Sequence, residues 1–277
     1  MRAAPERAMD IGISTASFYS RLVTEDALSA ISRLGAEVCE VFLDSYCEYE
    51  PEFGELLKAR AAELGLRVVS VHAMSQQFEP QLFSLSLRQR QDAWKLFEKV
   101  LRQGRLLGAK LLVFHGPARL RGAIRNAACA RIGPIVSDLA DLAGEYGLRL
   151  AWENVSWCLF SHPGFAAEVL PHVKSDNLGF TLDVKQAVRS GHDPFDYLAA
   201  MGKRLCHVHL CDYDLQKPDY GLCLPGKGTF DFQRLFSELK ANGYAGAAII
   251  EPYSDIYGKV EELSVSLSAM KGLLANA

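Results

Sequence analysis

The chain has no apolar run approaching the ~20 residues a membrane helix needs, so no membrane span or anchor is expected. It has no long basic tract and a formal net charge of −3, which gives little support to phosphate-tracking nucleic-acid binding. It has no CxxC pair: Cys39, Cys47, Cys129, Cys158, Cys206, Cys211 and Cys223 are scattered and odd in number. That favours reduced thiols and a cytoplasmic location over a disulfide framework. The opening, MRAAPERAMD, lacks the apolar core of a secretory signal, and residues 1–8 are expected to be a disordered lead-in. No linker, low-complexity stretch or charge block interrupts the rest, so 9–277 reads as one domain.

What is present is an alternation of strand and helix. Strand-like runs fall at 10–15, 37–43, 67–72, 109–115, 148–153, 178–183, 205–210 and 246–251. Helical patterns lie between them, beginning with TEDALSAISRLGA, where Thr24 is expected as N-cap and Gly35 as the stop. One or two helices fill 120–146, with a break expected at Gly133-Pro134. Eight strand–helix units in this length give a single (β/α)8 TIM barrel, with its active site at the C-terminal ends of the strands. An open doubly wound sheet is the alternative, but no G-x-G-x-x-G turn follows the first strand. Two connections, 73–86 and 212–229, are long for such a barrel and read as candidate lids, with Phe78, Phe83, Tyr213 and Tyr220 as apolar cover.

Four of the strands end in Glu153, Asp183, His209 and Glu251. Alternate residues of a strand face opposite sides. Ala151 and Glu153, Thr181 and Asp183, His207 and His209, and Ile249 and Glu251 therefore face the barrel interior. Leu150 and Trp152, Phe180 and Leu182, Val208 and Leu210, and Ala248 and Ile250 face the helices. Three carboxylates and one imidazole converging there are costly to bury without a cation. They suit one divalent ion, Mn²⁺ or Mg²⁺ by their oxygen-rich character, with Zn²⁺ or Co²⁺ also compatible. Glu40, His72 and His115 reach the same rim, and Lys185 points inward if its strand continues. These, with Gln186, His207 and Asn154, are candidates for substrate contact or support of the ion. Blander readings stand beside them: His207 as a hydrogen-bonded core residue, Glu40 as a buried ion-pair partner, Lys185 as a simple partner of Asp183. A local zinc site in CHVHLC is opposed by parity, because Cys206 points away from His207, His209 and Cys211.

With these residues in place the chain resembles the xylose-isomerase-like barrel superfamily, which includes ketose 3-epimerases, inosose-processing enzymes and endonuclease-IV-type nucleases. VSVH, VFHGP, WENVSW, TLDVKQA, HVHLCD, LPGKGTFDF and IIEPY carry the resemblance. It implies that Glu153, Asp183, His209 and Glu251 bind one divalent cation, and that Glu153 and Glu251 exchange the substrate proton. The chain departs from the epimerase pattern at Gln186, where a His is expected, and at Leu215, where an Arg is expected. The 212–229 loop also lacks the extra histidine of the nuclease branch.

The expected activity is metal-dependent isomerisation or epimerisation of a small-molecule sugar or sugar phosphate. It would pass through an enediolate, with Glu153 and Glu251 as acid/base pair and Lys185 polarising a substrate oxygen. Two alternatives remain open at this point: a lyase or dehydratase using the same site, and a non-catalytic sugar-binding subunit. Barrels of this type often pair, so a homodimer is an expectation without a named interface.

Overall fold

A computed structural model describes residues 9–119 and 125–277 of the chain. The expectation for residues 1–8 lies outside the described residues. Eight strands close into one parallel barrel in sequence order: β1 Asp10–Ser14, β2 Val38–Leu43, β3 Arg67–Ala73, β4 Leu111–Phe114, β5 Arg149–Glu153, β6 Leu178–Asp183, β7 Leu205–Leu210 and β8 Ala247–Ile250. The fold is the (β/α)8 barrel that the alternation of strand and helix predicts. Its outward strand faces build the core. Leu150, Trp152, Phe180, Leu182, Val208, Leu210, Ala248 and Ile250 are all fully buried against the helix layer. No helix among the described residues is long and apolar enough to cross a membrane.

Two irregularities shape the interior. Between β2 and β3 the pairing steps from Cys39↔Val68 to Glu40↔Ser70, so Val69 is bulged and Ser70 is brought opposite Glu40. Between β6 and β7 it steps from Phe180↔Leu205 to Thr181↔His207, which leaves Cys206 as the extra residue and sets Asp183 beside His209.

Several local expectations are corrected. Thr24 is the first helical residue, and Val23 holds the cap position. The Thr24 hydroxyl donates instead to Glu48, at 2.9 Å. Gly133-Pro134 does not break the fourth long helix, which runs from Arg125 to Glu145 with Pro134 inside it. Pro134 lies on the exposed face of the helix, which continues past the hydrogen bond that proline cannot donate. The largest change follows β6. The strand does not continue past Asp183; a helix, Val184–Arg189, starts at once.

The aromatics expected as cover, Phe78, Phe83, Tyr213 and Tyr220, do not line the cavity at the barrel mouth, although residues 73–76 of the first connection do. Phe78 and Phe83 are buried in the core, beside a short helix at Glu79–Leu82. The loop after β7 is tied to Asp212, whose carboxylate accepts the backbone N–H groups of Tyr213, Gly226, Gly228 and Phe230 at 2.8, 3.0, 2.9 and 3.0 Å. A Cβ on Gly228 would stand 2.4 Å from that carboxylate, so glycine is required there.

Candidate metal centre and catalytic cavity

Each strand of the second half ends in one donor, and the four donors meet. Ligand atoms of Glu153, Asp183, His209 and Glu251 all lie within 4.8 Å of one another, and all four residues are buried. The geometry radiates from His209 Nδ1, which lies 3.4 Å from Glu153 Oε1, 3.7 Å from Asp183 Oδ2 and 3.2 Å from Glu251 Oε2. An ion with ligands at about 2.1 Å separates neighbouring ligand atoms by about 3.0 Å in an octahedron and about 3.4 Å in a tetrahedron. The spacings to Glu153 and Glu251 fall in that range, and the 3.7 Å spacing to Asp183 lies just above it. His209 Nδ1 is buried among three carboxylates and makes no hydrogen bond, a buried polar atom left without a partner. The donor set therefore fits a divalent cation.

The surroundings fix each donor. Glu40 lies beneath His209 with its carboxylate 3.2 Å from His209 Nε2 and 2.9 Å from His207 Nε2. It also accepts from Ser14 Oγ at 3.1 Å and from Ser70 Oγ at 2.7 Å. A carboxylate on Nε2 holds the proton there and turns Nδ1 toward the three acids. Asn154 clamps the backbone of Asp183, accepting its N–H at 2.7 Å and donating to its carbonyl at 3.0 Å. Asp183 then divides its oxygens: Oδ1 caps the following helix through Gln186 N–H at 2.8 Å, and Oδ2 turns to the cluster.

Lys185 reaches the cluster from the first turn of that helix, not from a continued strand. Its ammonium bonds Asp183 Oδ2 at 2.5 Å and Glu251 Oε2 at 3.0 Å. Electrostatics follow from this crowding. Burial pushes the carboxyls of Glu153 and Glu251 up, but His115 beside the first, and His209 and Lys185 beside the second, hold both well below the usual range. Burial dominates at Asp183 and raises it, against the pull of Lys185. Burial pushes Lys185 down, and Asp183 and Glu251 more than restore it, so it stays charged.

Above the cluster opens a cavity of about 560 Å³. Of the four clustered residues, Glu153 and Glu251 line it; Asp183 and His209 lie behind them. The two glutamates are arranged alike. Each gives one oxygen to the side of His209 and the other to a histidine of the cavity wall: Glu153 Oε2 is 2.8 Å from His115 Nε2, and Glu251 Oε1 is 3.5 Å from His72 Nδ1. His72 and His115 meet each other at 2.8 Å, and Ser75 Oγ holds His115 Nδ1 at 2.6 Å.

Of the residues expected at the substrate, His72, His115, Gln186 and Lys185 line the cavity. Glu40 and His207 do not; they lie deeper, where the bulge at Val69 and the Ser70 bond hold them under His209. The local cysteine site in CHVHLC does not form. Cys206 Sγ turns to the Phe180 carbonyl, and no cysteine joins a potential ligand cluster among the described residues. Sequence reasoning missed the aromatic mouth. Tyr19, Trp157 and Tyr253 stand 47%, 37% and 37% exposed around the opening, with Phe42 behind them. Trp157 meets His115 edge-on at 5.8 Å, and Gln186 Nε2 donates to Tyr253 OH at 3.2 Å. Tyr253 follows Glu251 by two residues, which was a usable signal. Tyr19 and Trp157 sit on loops that carry no periodicity.

The comparisons agree with the architecture. An uncharacterised protein of Mycobacterium tuberculosis is 25% identical over 265 residues, covering 88% of this chain and 89% of that protein. An inosose isomerase of Halalkalibacterium halodurans is 27% identical over 130 residues, which is 44% of this chain and 46% of that enzyme. The solved structure of L-ribulose 3-epimerase superposes with a TM-score of 0.79 at 18% identity, covering 97% of this chain and 95% of that one. The IOLI protein with a bound zinc atom superposes at 0.78 and 17% identity, covering 97% and 99%. At such identities the superpositions show a shared fold. The profile of the xylose isomerase-like TIM barrel family matches residues 28–272, and the chain belongs to that family.

Proposed function

We propose that this protein is a divalent-metal-dependent isomerase or epimerase of a ketose, a related polyol or their phosphates. The observation that carries the reading is the split between the four clustered residues: Asp183 and His209 lie behind the cavity, while Glu153 and Glu251 belong to the cluster and also line the cavity. The ion, Mn²⁺ or Mg²⁺ by donor chemistry, would be held by Glu153, Asp183, His209 and Glu251. When bound, it supplies Lewis-acid stabilisation to charge developing on a substrate oxygen.

The rest of the chemistry falls to side chains of this chain. A carbon-bound hydrogen next to a carbonyl becomes acidic when the resulting enediolate is stabilised. Glu153 takes that proton on one face of the planar intermediate, and Glu251 returns one from the other. His115 and His72 stand against the outer oxygens of these two carboxylates and hold them in register. Lys185 lies beside Glu251 at the cavity floor, placed to polarise a substrate hydroxyl or carbonyl oxygen. Tyr19, Trp157 and Tyr253 offer ring faces to the apolar side of a sugar and help exclude water. Inosose isomerase and L-ribulose 3-epimerase, named among the similar proteins, handle substrates of this chemical class.

The test is elemental analysis of the purified chain, followed by ketoses and sugar phosphates incubated with it in D₂O. One divalent ion per chain and deuterium at the carbon next to the carbonyl are expected, with exchange lost in Glu153→Gln. A folded wild-type chain that takes up no divalent ion would reject the reading.

A further inference from the structure

The ammonium of Lys185 occupies an unusual position for a residue beside a metal cage. It is 2% exposed, and both of its carboxylate contacts are to oxygens of the cage itself. Those oxygens, Asp183 Oδ2 and Glu251 Oε2, are the ones that face His209 Nδ1 at 3.7 and 3.2 Å. The third cage acid, Glu153, has no lysine or arginine within ion-pair distance among the described residues; its basic neighbours are His115 and His209. The lysine thus shares two ligand atoms with the site of the ion.

We infer that Lys185 is a resident counter-cation of the cage: it holds Asp183 and Glu251 in place when no divalent ion is bound, and it opposes that ion when one enters. The inference rests on the metal-cage reading above. Its first half follows from the cost of gathering buried carboxylates with no positive charge among them. Asp183 is completely buried and Glu251 nearly so, and the ammonium is the permanent cation that touches both. The second half follows from Coulomb's law. An incoming ion must draw on oxygens that already share their charge with an ammonium, and it meets a like charge a few ångströms away in a poorly screened site. Loading with metal is then an exchange between two cations rather than the filling of an uncompensated anionic hole. This makes the apo chain more robust and the ion more readily lost.

The two halves predict shifts of opposite sign, which no simple packing role produces. A lysine that only filled space, or that steadied the ligands for the ion, would on removal lower both apo stability and metal affinity. The experiment compares wild type, Lys185→Met and Lys185→Arg. The melting temperature is measured in EDTA, and the Mn²⁺ dissociation constant by titration calorimetry of the stripped protein. Lys185→Met is expected to melt lower than wild type in EDTA yet bind Mn²⁺ about tenfold or more tightly. Lys185→Arg, which keeps the charge, is expected to bind no tighter than wild type. A Lys185→Met chain that binds Mn²⁺ equally or more weakly, or that melts no lower in EDTA, overturns the inference. So does one that fails to fold even in saturating Mn²⁺, because the ion should then take over the missing charge. Failure of the wild type itself to bind Mn²⁺ is a separate outcome, which overturns the metal reading on which the inference stands.

Discussion

The two halves of the barrel carry different work. Strands β5 to β8 end in Glu153, Asp183, His209 and Glu251, one cage residue each. Strands β1 to β4 supply none of the four. They bring Ser14, Glu40, Ser70, His72 and, just past the end of β4, His115, and each of these touches a cage residue or Glu40. In the proposed reading the second half supplies the ligands, and the first half supplies most of the groups that aim them. The difference shows how a closed barrel solves an orientation problem: a donor on one strand is steered by a carboxylate that has come round the ring from the opposite side. Groups that hydrogen-bond the far side of a ligand set its tautomer and basicity without touching an ion.

This division can be broken by substitution. The largest effect is expected from the binding half. Asp183→Asn removes a ligand charge and should weaken Mn²⁺ binding by more than about 100-fold in calorimetric titration. In the aiming half, Glu40→Gln should cost about 10- to 100-fold. Its diagnostic readout is the ¹⁵N NMR tautomer of His209, which should lose its fixed proton on Nε2. If Glu40→Gln weakens the ion as much as Asp183→Asn, or leaves the tautomer unchanged, the two halves are not distinct in the way described.

The smallest effect on the ion is expected at Glu79, which aims at one further remove. Its carboxylate accepts the backbone N–H groups of His115 and Gly116, both at 2.9 Å, and so sets where β4 releases His115 into the cavity. Burial pushes its carboxyl up to about 7 from an ordinary 4.5, against the opposing pull of His115 and the two N–H groups. A raised carboxyl favours the protonated fold. The stability it contributes is complete below about 4.5 and is lost as pH rises through about 7. Glu79→Gln keeps an acceptor oxygen and removes this loss. Its melting temperature relative to wild type should therefore rise between about pH 5 and about pH 8. Mn²⁺ affinity should stay within about twofold. A flat difference across that interval would show that Glu79 does not titrate in the fold.

Much of this was readable in the sequence, for a physical reason. A parallel strand buried on both faces writes its polar inward positions against an apolar background, so Glu153, Asp183, His209 and Glu251 stood out at strand ends. Depth was not readable. Glu40 and His207 have the parity of cavity residues, but the bulge at Val69 and the hydrogen bonds beneath His209 keep them out of it. The switch from strand to helix directly after Asp183 was missed as well. Val184, Lys185 and Gln186 continue an acceptable strand pattern, and the cap that starts the helix is the same aspartate that serves the cage. The aromatic mouth is assembled from loops, whose positions depend on tertiary contacts that no periodicity records.

The loop fastened by Asp212 has a practical consequence. Four amides from both of its arms converge on one buried carboxylate, and none of its residues lines the cavity. Its outer bend, where Leu215 is 61% exposed and Asp219 and Tyr220 adopt left-handed backbone, hangs from that knot. A fluorophore or short epitope grafted at Leu215 would ride on the molecule as a handle does on a lid that stays shut, reporting on the whole barrel while leaving its chemistry alone.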